Sequence, residues 1–186
     1  RKESSAASDV YKRQRYNGSG ATVRGFNVEG RAAFTRWFEL QAGVTLQQSR
    51  YKEPEFWSED AEVPPVRRMF RTPDAYGYFT ASFKPVRNFT ADLSGTCTGS
   101  MLVQHMAGSG VAQDVAVSTP SFFDMNIRLS YDVRIYKEIT MQLYGGVQNL
   151  FNAYQKDFDK GVDRDSGYIY GPSLPRSWFV GAKFSF

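Results

Sequence analysis

The chain has 186 residues, of which 41% are hydrophobic and 23% charged, and a formal net charge of +4. That length fits one ordinary domain, the composition excludes a disordered tail, and the lack of any run of about 18 apolar residues excludes transmembrane helices. One Cys and one His exclude an internal disulfide and a Cys/His zinc cluster, no block of like charges marks a nucleic-acid partner, and 15 Phe, 11 Tyr and 3 Trp beside 16 Gly favour strands and turns.

At the N-terminus, Asp9-Val10-Tyr11-Lys12-Arg13-Gln14 resembles an in-frame translation of a sequencing adapter. Residues 1–14 therefore read as an adapter-derived or disordered segment outside the fold. Setting aside its four basic and two acidic residues takes the net charge from +4 to +2. The adapter reading also makes residues 15–186 the expected C-terminal part of a longer protein.

From Phe26 to Phe34 apolar residues fall on even positions, and after Arg36-Trp37 the pattern resumes with Phe38, Leu40, Ala42, Val44 and Leu46. Period two predicts a hairpin of strands 22–35 and 38–51. Prolines and acids make 52–71 a long polar loop. Strands 74–84 and 89–103 follow as a second hairpin, then a Gly- and Ser-rich loop over 105–120. Strands 121–134 and 138–150 form a third hairpin, the loop 152–172 comes next, and strand 174–186 ends the chain.

Seven segments of about nine to fifteen residues, joined alternately by tight turns and long loops, match the 9–11 residue crossings and unequal connections of an outer-membrane barrel. A soluble sandwich alternates too, but its strands usually run about five or six residues. Phe34, Trp37, Phe38, Phe83, Phe89, Tyr136 and Phe186 gather at the tight-turn ends like an interfacial girdle. The fold class is all-β, an antiparallel transmembrane β-barrel. Parity directs Glu29, Arg31, Glu39 and Gln41 to the lumen, with Tyr76, Tyr78 and Asp92 of the second hairpin. It sends Asp124, Asn126, Arg128, Gln142 and Tyr144 of the third the same way. Cys97 falls on the lipid parity.

Val147-Gln148-Asn149-Leu150-Phe151-Asn152, Tyr168-Ile169-Tyr170-Gly171-Pro172, Pro175-Arg176 and a final aromatic strand closing on Phe186 resemble the end of a TonB-dependent outer-membrane receptor, in the style of Bacteroidota. The resemblance covers roughly Tyr16 to Phe186. It implies that the chain supplies about seven C-terminal strands of a 22-stranded barrel, with an N-terminal plug and a TonB box upstream. It also implies residence in the outer membrane of a Gram-negative cell and energy from the TonB complex. The terminal strand, with Trp178, Phe184 and Phe186, would be the signal read by the barrel assembly machinery. Partners would be outer-membrane lipid, the upstream strands and plug, and a small-molecule or glycan ligand such as a siderophore or cobalamin. No enzyme activity, cofactor, metal or nucleic acid is implied. The competing readings are a complete small barrel acting as a porin or adhesion module, and a barrel-borne hydrolase.

Ligand selection is expected in the long loops, where Phe56, Trp57, Tyr154, Phe158, Tyr168 and Tyr170 place aromatic surface beside charges. Asp157, Asp159, Asp163 and Asp165 have a spacing that fits a calcium loop poorly, because Gly161 sits at the fifth place and no Glu at the twelfth. His105 and Asp114 could form an acid–base pair, although a single His on a Gly-rich loop reads as exposed.

Overall fold

The computed structural model describes residues 18–172 and 174–186; the segment 1–14 lies outside them. Ten strands follow one another, and no helix occurs among the described residues. They are β1 (Ala21–Thr35), β2 (Phe38–Glu55), β3 (Val66–Arg68), β4 (Ala75–Val86), β5 (Phe89–Thr98), β6 (Leu102–His105), β7 (Val115–Ser118), β8 (Phe122–Tyr136), β9 (Ile139–Gln148) and β10 (Ser177–Ser185). The main antiparallel sheet runs β1-β2-β4-β5-β8-β9-β10, with β3 added to β2, while β6 and β7 form a separate hairpin. Two-residue turns at Arg36-Trp37, Arg87-Asn88 and Lys137-Glu138 all fall at one end. All three long loops fall at the other. The strands β1 and β10 are the two edges of this sheet, which does not close on itself.

Directly paired residues share a face, so the register decides which side chains lie together. One row across all seven strands reads Ala32, Leu40, Ala81, Leu93, Ile127, Val147 and Trp178. Beside it, on the opposite face, runs Ala33, Glu39, Ser82, Asp92, Arg128, Gly146 and Phe179. The apolar face is uncovered: Val180 is 90% and Trp178 77% exposed. Buried hydrophobic residues among those described are only Val63, Val103, Val147 and Tyr168. Three of the four belong to the loop end, so the sheet has no core of its own.

Aromatic rings on the apolar face stand in two clusters. At the turn end, Phe34 stacks on Phe38 at 5.7 Å and Trp37 meets Phe83 edge-on at 5.0 Å. At the loop end, Phe123 lies 6.4 Å from Phe79 and 5.7 Å from Phe151. Only the first cluster is legible in the sequence as a girdle.

The structure moves three strand boundaries by three residues or more and adds a hairpin. The expected strand 89–103 stops at Thr98, opposite Tyr76 and Phe122 near the ends of β4 and β8, with one further backbone bond from Gly99 N to Ala75 O at 2.8 Å. Residues 102–105 turn instead into the β6–β7 hairpin, inside what reads as a loop. The strand 38–51 continues to Glu55, its extension pairing with β3 at Glu55↔Val66. The last strand starts at Ser177 rather than at 174, opposite Gln148, where β9 ends.

Candidate functional site

The long loops are built outward from the strand ends. Asn149 and Asn152, at the end of β9, both take the left-handed conformation with φ of 50° and 54°, which Asn tolerates better than most residues. The Asn149 side chain is buried and stitches the loop. Its Nδ2 donates to Ala153 O at 3.0 Å and Leu174 O at 2.9 Å, its Oδ1 accepts from Ala153 N at 2.8 Å, and its backbone N donates to Asn126 Oδ1 at 2.9 Å. Asn152 Oδ1 accepts from Arg176 N at 2.9 Å. The tetrapeptide Asn149-Leu150-Phe151-Asn152 thus fixes both ends of the loop 149–176 against β8 and β10.

Inside that loop Gln155 is 1% exposed, donating to Tyr168 O at 3.0 Å and accepting from Tyr170 N at 2.9 Å. Asp157 accepts from both phenols, Tyr168 at 2.8 Å and Tyr170 at 2.6 Å. Burial alone would raise the Asp157 carboxyl, but hydrogen bonds from the two phenols, from backbone and from Gln155 together outweigh it and hold it below its ordinary value. Burial first, and then the hydrogen bond to Asp157, push the Tyr168 phenol up to about 12 and move Tyr170 in the same direction.

A second loop docks on this one. His105 Nε2 lies 3.0 Å from each carboxylate oxygen of Asp159, both side chains being buried, and the imidazole stacks on Tyr168 with centroids 3.7 Å apart and planes 6° off parallel. The His105 hydrogen bond holds the Asp159 carboxyl below its ordinary value. Met106 N donates to Asp165 Oδ2 at 2.9 Å, and Ser109 Oγ to Lys160 O at 2.6 Å. From the β3–β4 connection Arg71 donates to Ile169 O at 2.9 Å and also to Gly167 O. Ser58 Oγ donates to Asp114 Oδ2 at 2.6 Å, tying in the loop after β2. The three long loops are one hydrogen-bonded cap.

His105 is therefore not exposed, and Asp114 is not its partner. The acidic residues Asp157, Asp159 and Asp165 spend their oxygens on phenols, the imidazole and backbone N–H groups.

Of the six aromatics expected to select ligand, Tyr154 and Tyr170 come together. With Phe122, Phe151, Lys156 and Asp157 they line an open hollow of about 580 Å³ beside β8. Tyr168 lies behind it, 3% exposed and covered by His105. Trp57 packs edge-on against Phe70 at 5.3 Å, on another part of the cap, and its Nε1 is buried with no partner among the described residues. Phe56 and Phe158 are exposed, apart from the hollow. Phe122, Phe151 and Lys156 escape the sequence reading because strand parity and motif account for the first two and nothing marks the third.

The polar face bears all twelve residues expected at the lumen. Ser82 Oγ donates to Asp92 Oδ1 at 2.7 Å, Arg31 pairs with Glu39, and Gln41 Nε2 donates to Tyr78 Oη at 3.3 Å. Arg128 donates to Gln142 at 3.3 Å while lying 4.5 Å above the Tyr144 ring. Gln142 in turn donates to Asp132 at 2.9 Å. Glu29 and Tyr76 flank this network on β1 and β4, across from Gly43 and Thr45 of β2. Asp124 and Asn126 stand nearer the loops, and Asp124 Oδ1 is buried without a partner among the described residues.

No protein-family model matches the sequence, and no curated protein matches it significantly. Solved structures do match. The ferric-catecholate import receptor Fiu of Escherichia coli K12 aligns over 87% of this chain at 21% identity with a TM-score of 0.61. A variant of the ferric enterobactin receptor PfeA of Pseudomonas aeruginosa aligns over 87% at 14% identity with a TM-score of 0.56. The chain spans 20% of the length of the first and 22% of the second. The shared feature is the fold, an antiparallel barrel-type sheet, here seven strands wide and open.

Proposed function

From that shared fold, we propose that residues 15–186 are a C-terminal part of the barrel of a TonB-dependent outer-membrane receptor. Such a receptor imports a scarce nutrient across the outer membrane of a Gram-negative cell, using energy passed on by the TonB complex. The observation that carries the reading is the division of the middle of the sheet into one mainly apolar and one mainly polar face, with every tight turn at one end and every long loop at the other. A two-faced strand set of this length suits lipid outside and a wet lumen inside. The apolar row through Leu93 and Ile127 would face lipid, and the row through Asp92 and Arg128 the lumen and plug. The terminal residues Trp178, Phe184 and Phe186 would serve the barrel assembly machinery, and the open edges β1 and β10 would pair with the remaining strands.

The transport cycle involves no covalent step by this chain. Its loops would gather ligand from outside, and its polar wall would border the path. The hollow between Phe122, Tyr154 and Tyr170 combines ring surface with the cation of Lys156. With the Asp157 carboxylate on the same wall, that surface suits a ring-bearing ligand such as an aromatic iron chelate.

The test is uptake in a host strain growing under iron limitation. Deleting the gene that encodes this barrel should abolish accumulation of a radiolabelled iron chelate, and loss of TonB should do the same. Uptake that survives without TonB would replace the receptor by a passive small barrel.

A further inference from the structure

On the apolar parity of β1 and β2 the residues from Phe26 to Phe34 and from Phe38 to Leu46 are apolar or small. Toward the loops the same parity changes character at once, to Arg24 and Thr22 on β1 and to Gln48, Arg50 and Lys52 on β2. The register pairs Arg24 with Gln48 and Thr22 with Arg50. The two guanidinium-bearing residues are therefore diagonal neighbours on one face, at a Cα separation of about 7–8 Å. With Thr22, Gln48 and Tyr51 they line a hollow of about 180 Å³. The stem of Lys52 lies alongside Gly20 at the rim.

Some arginines of the sheet and loops are engaged, Arg31 with Glu39, Arg68 with Asp74 at 3.0 Å, Arg71 with two carbonyls and Arg128 with Gln142, whereas Arg67 of β3 and Arg134 of β8 have no side-chain partner among the described residues. Neither Arg24 nor Arg50 has an ion-pair or hydrogen-bond partner among the described residues. Two unneutralised planar forks side by side match the geometry of a phosphate, which each can hold through paired N–H bonds. Directly below them lie Phe26, Val28, Val44 and Leu46, all exposed.

We infer that Arg24 and Arg50, with Gln48 and Lys52, form a binding site for the phosphorylated headgroup of an outer-leaflet lipid whose acyl chains lie on Phe26, Val28, Val44 and Leu46. The inference rests on the membrane reading of the apolar face, which puts this patch at headgroup level. Cationic side chains there keep their stems on apolar surface and their heads in water. The acyl chains are what separate a lipid site from a site for free anions.

The barrel that carries this chain, purified in neutral detergent, is mixed with diphosphoryl lipid A or with its dephosphorylated form, and retention is read by native mass spectrometry. The wild type should keep the phosphorylated lipid. The Arg24→Gln/Arg50→Gln variant should lose retention on the order of tenfold, as expected for about 1.4 kcal/mol of lost interaction. Arg24→Lys/Arg50→Lys, which keeps charge but not the fork, should fall between. Unheated gel migration checks that each variant is folded. Equal retention by wild type and the Gln variant overturns the inference and leaves the membrane reading standing, as does equal retention of the two lipid forms. Displacement by inorganic phosphate alone overturns it in favour of a free-anion site. A wild-type barrel that fails to enter bilayers removes the membrane reading, and this site with it.

Discussion

Asn149 holds three loop contacts with one side chain, and this is where a small change should cost most. Asn149→Ala leaves the carbonyls of Ala153 and Leu174 and the Ala153 N–H without partners, for an expected loss of about 1–3 kcal/mol in a urea titration of the bilayer-embedded barrel. A loss indistinguishable from zero would mean that water replaces the side chain. Asn149-Leu150-Phe151-Asn152 stands out in the sequence as a motif, yet its work is hidden there, because the atoms it binds lie as far away as Leu174. Residue-level parity gives a second expectation. Leu129→Arg on the apolar face should cost about 2–4 kcal/mol at the bilayer midplane. Arg128→Leu, on the polar face, gives up one 3.3 Å hydrogen bond and a ring contact and should cost far less; equal losses would reverse the faces. Titration of the cap gives a third. Asp157 and Asp159 are held below their ordinary value, so their contribution is complete above about pH 4 and vanishes as pH falls through the depressed values. The Tyr168 phenol is raised, so its contribution is complete below its ordinary value of 10.0 and vanishes as pH rises through about 12. Amide exchange across 149–176 should show protection flat between those limits, and a decline near neutrality would contradict it.

Among whole strands, a repeated device is an aromatic ring lying over a cross-strand glycine. Tyr78 covers Gly43, Phe79 covers Gly95, Tyr144 covers Gly181 and Phe179 covers Gly146, each pair directly opposite in register. The ring shields backbone that the missing side chain would otherwise expose, and it pins the register. Gly146 is the tightest case, since an added Cβ would stand 2.0 Å from Ile127 O and 2.7 Å from the Phe179 ring. Gly146→Ala should therefore cost about 1–3 kcal/mol as β8 and β9 shift. By contrast Gly30→Ala, with nothing within 4 Å, should be neutral or mildly stabilising. Matching melting temperatures for the two would show that the strands yield without cost. The seven long strands are legible because period two is local: Phe123 to Val133 alternates whatever lies beside it. The short strands β3, β6 and β7 are not, since Val103 and Val117 pair only because the hairpin folds back, and four residues carry too little periodicity to outweigh the Gly, Ser and Asp around them. The His105–Asp159 contact was unreadable for the same reason, joining loops 54 positions apart.

For the molecule as a unit, the decisive feature is the pair of open edges. Among the described residues the outer sides of β1 and β10 have no strand partner for their backbone N–H and C=O groups, and in a bilayer each unpaired group costs several kcal/mol. The 186-residue polypeptide expressed by itself should therefore aggregate or oligomerise. Detergent refolding followed by unheated electrophoresis and sizing checks this, and a compact heat-modifiable monomer would show closure without further strands. The same sheet has almost no buried apolar residue away from its loops. A globular protein is held together by the water it excludes from inside. Here the hydrocarbon that would line the outer wall is a component of the folded state, as much as any side chain. Thermal resistance should then track the solvent: the same barrel should melt at different temperatures in lipids of different chain length, with the maximum where the acyl layer equals the band between the Phe34–Phe38 and Phe123–Phe151 rings. Its stability curve would belong to a two-component material, of which the polypeptide is one phase.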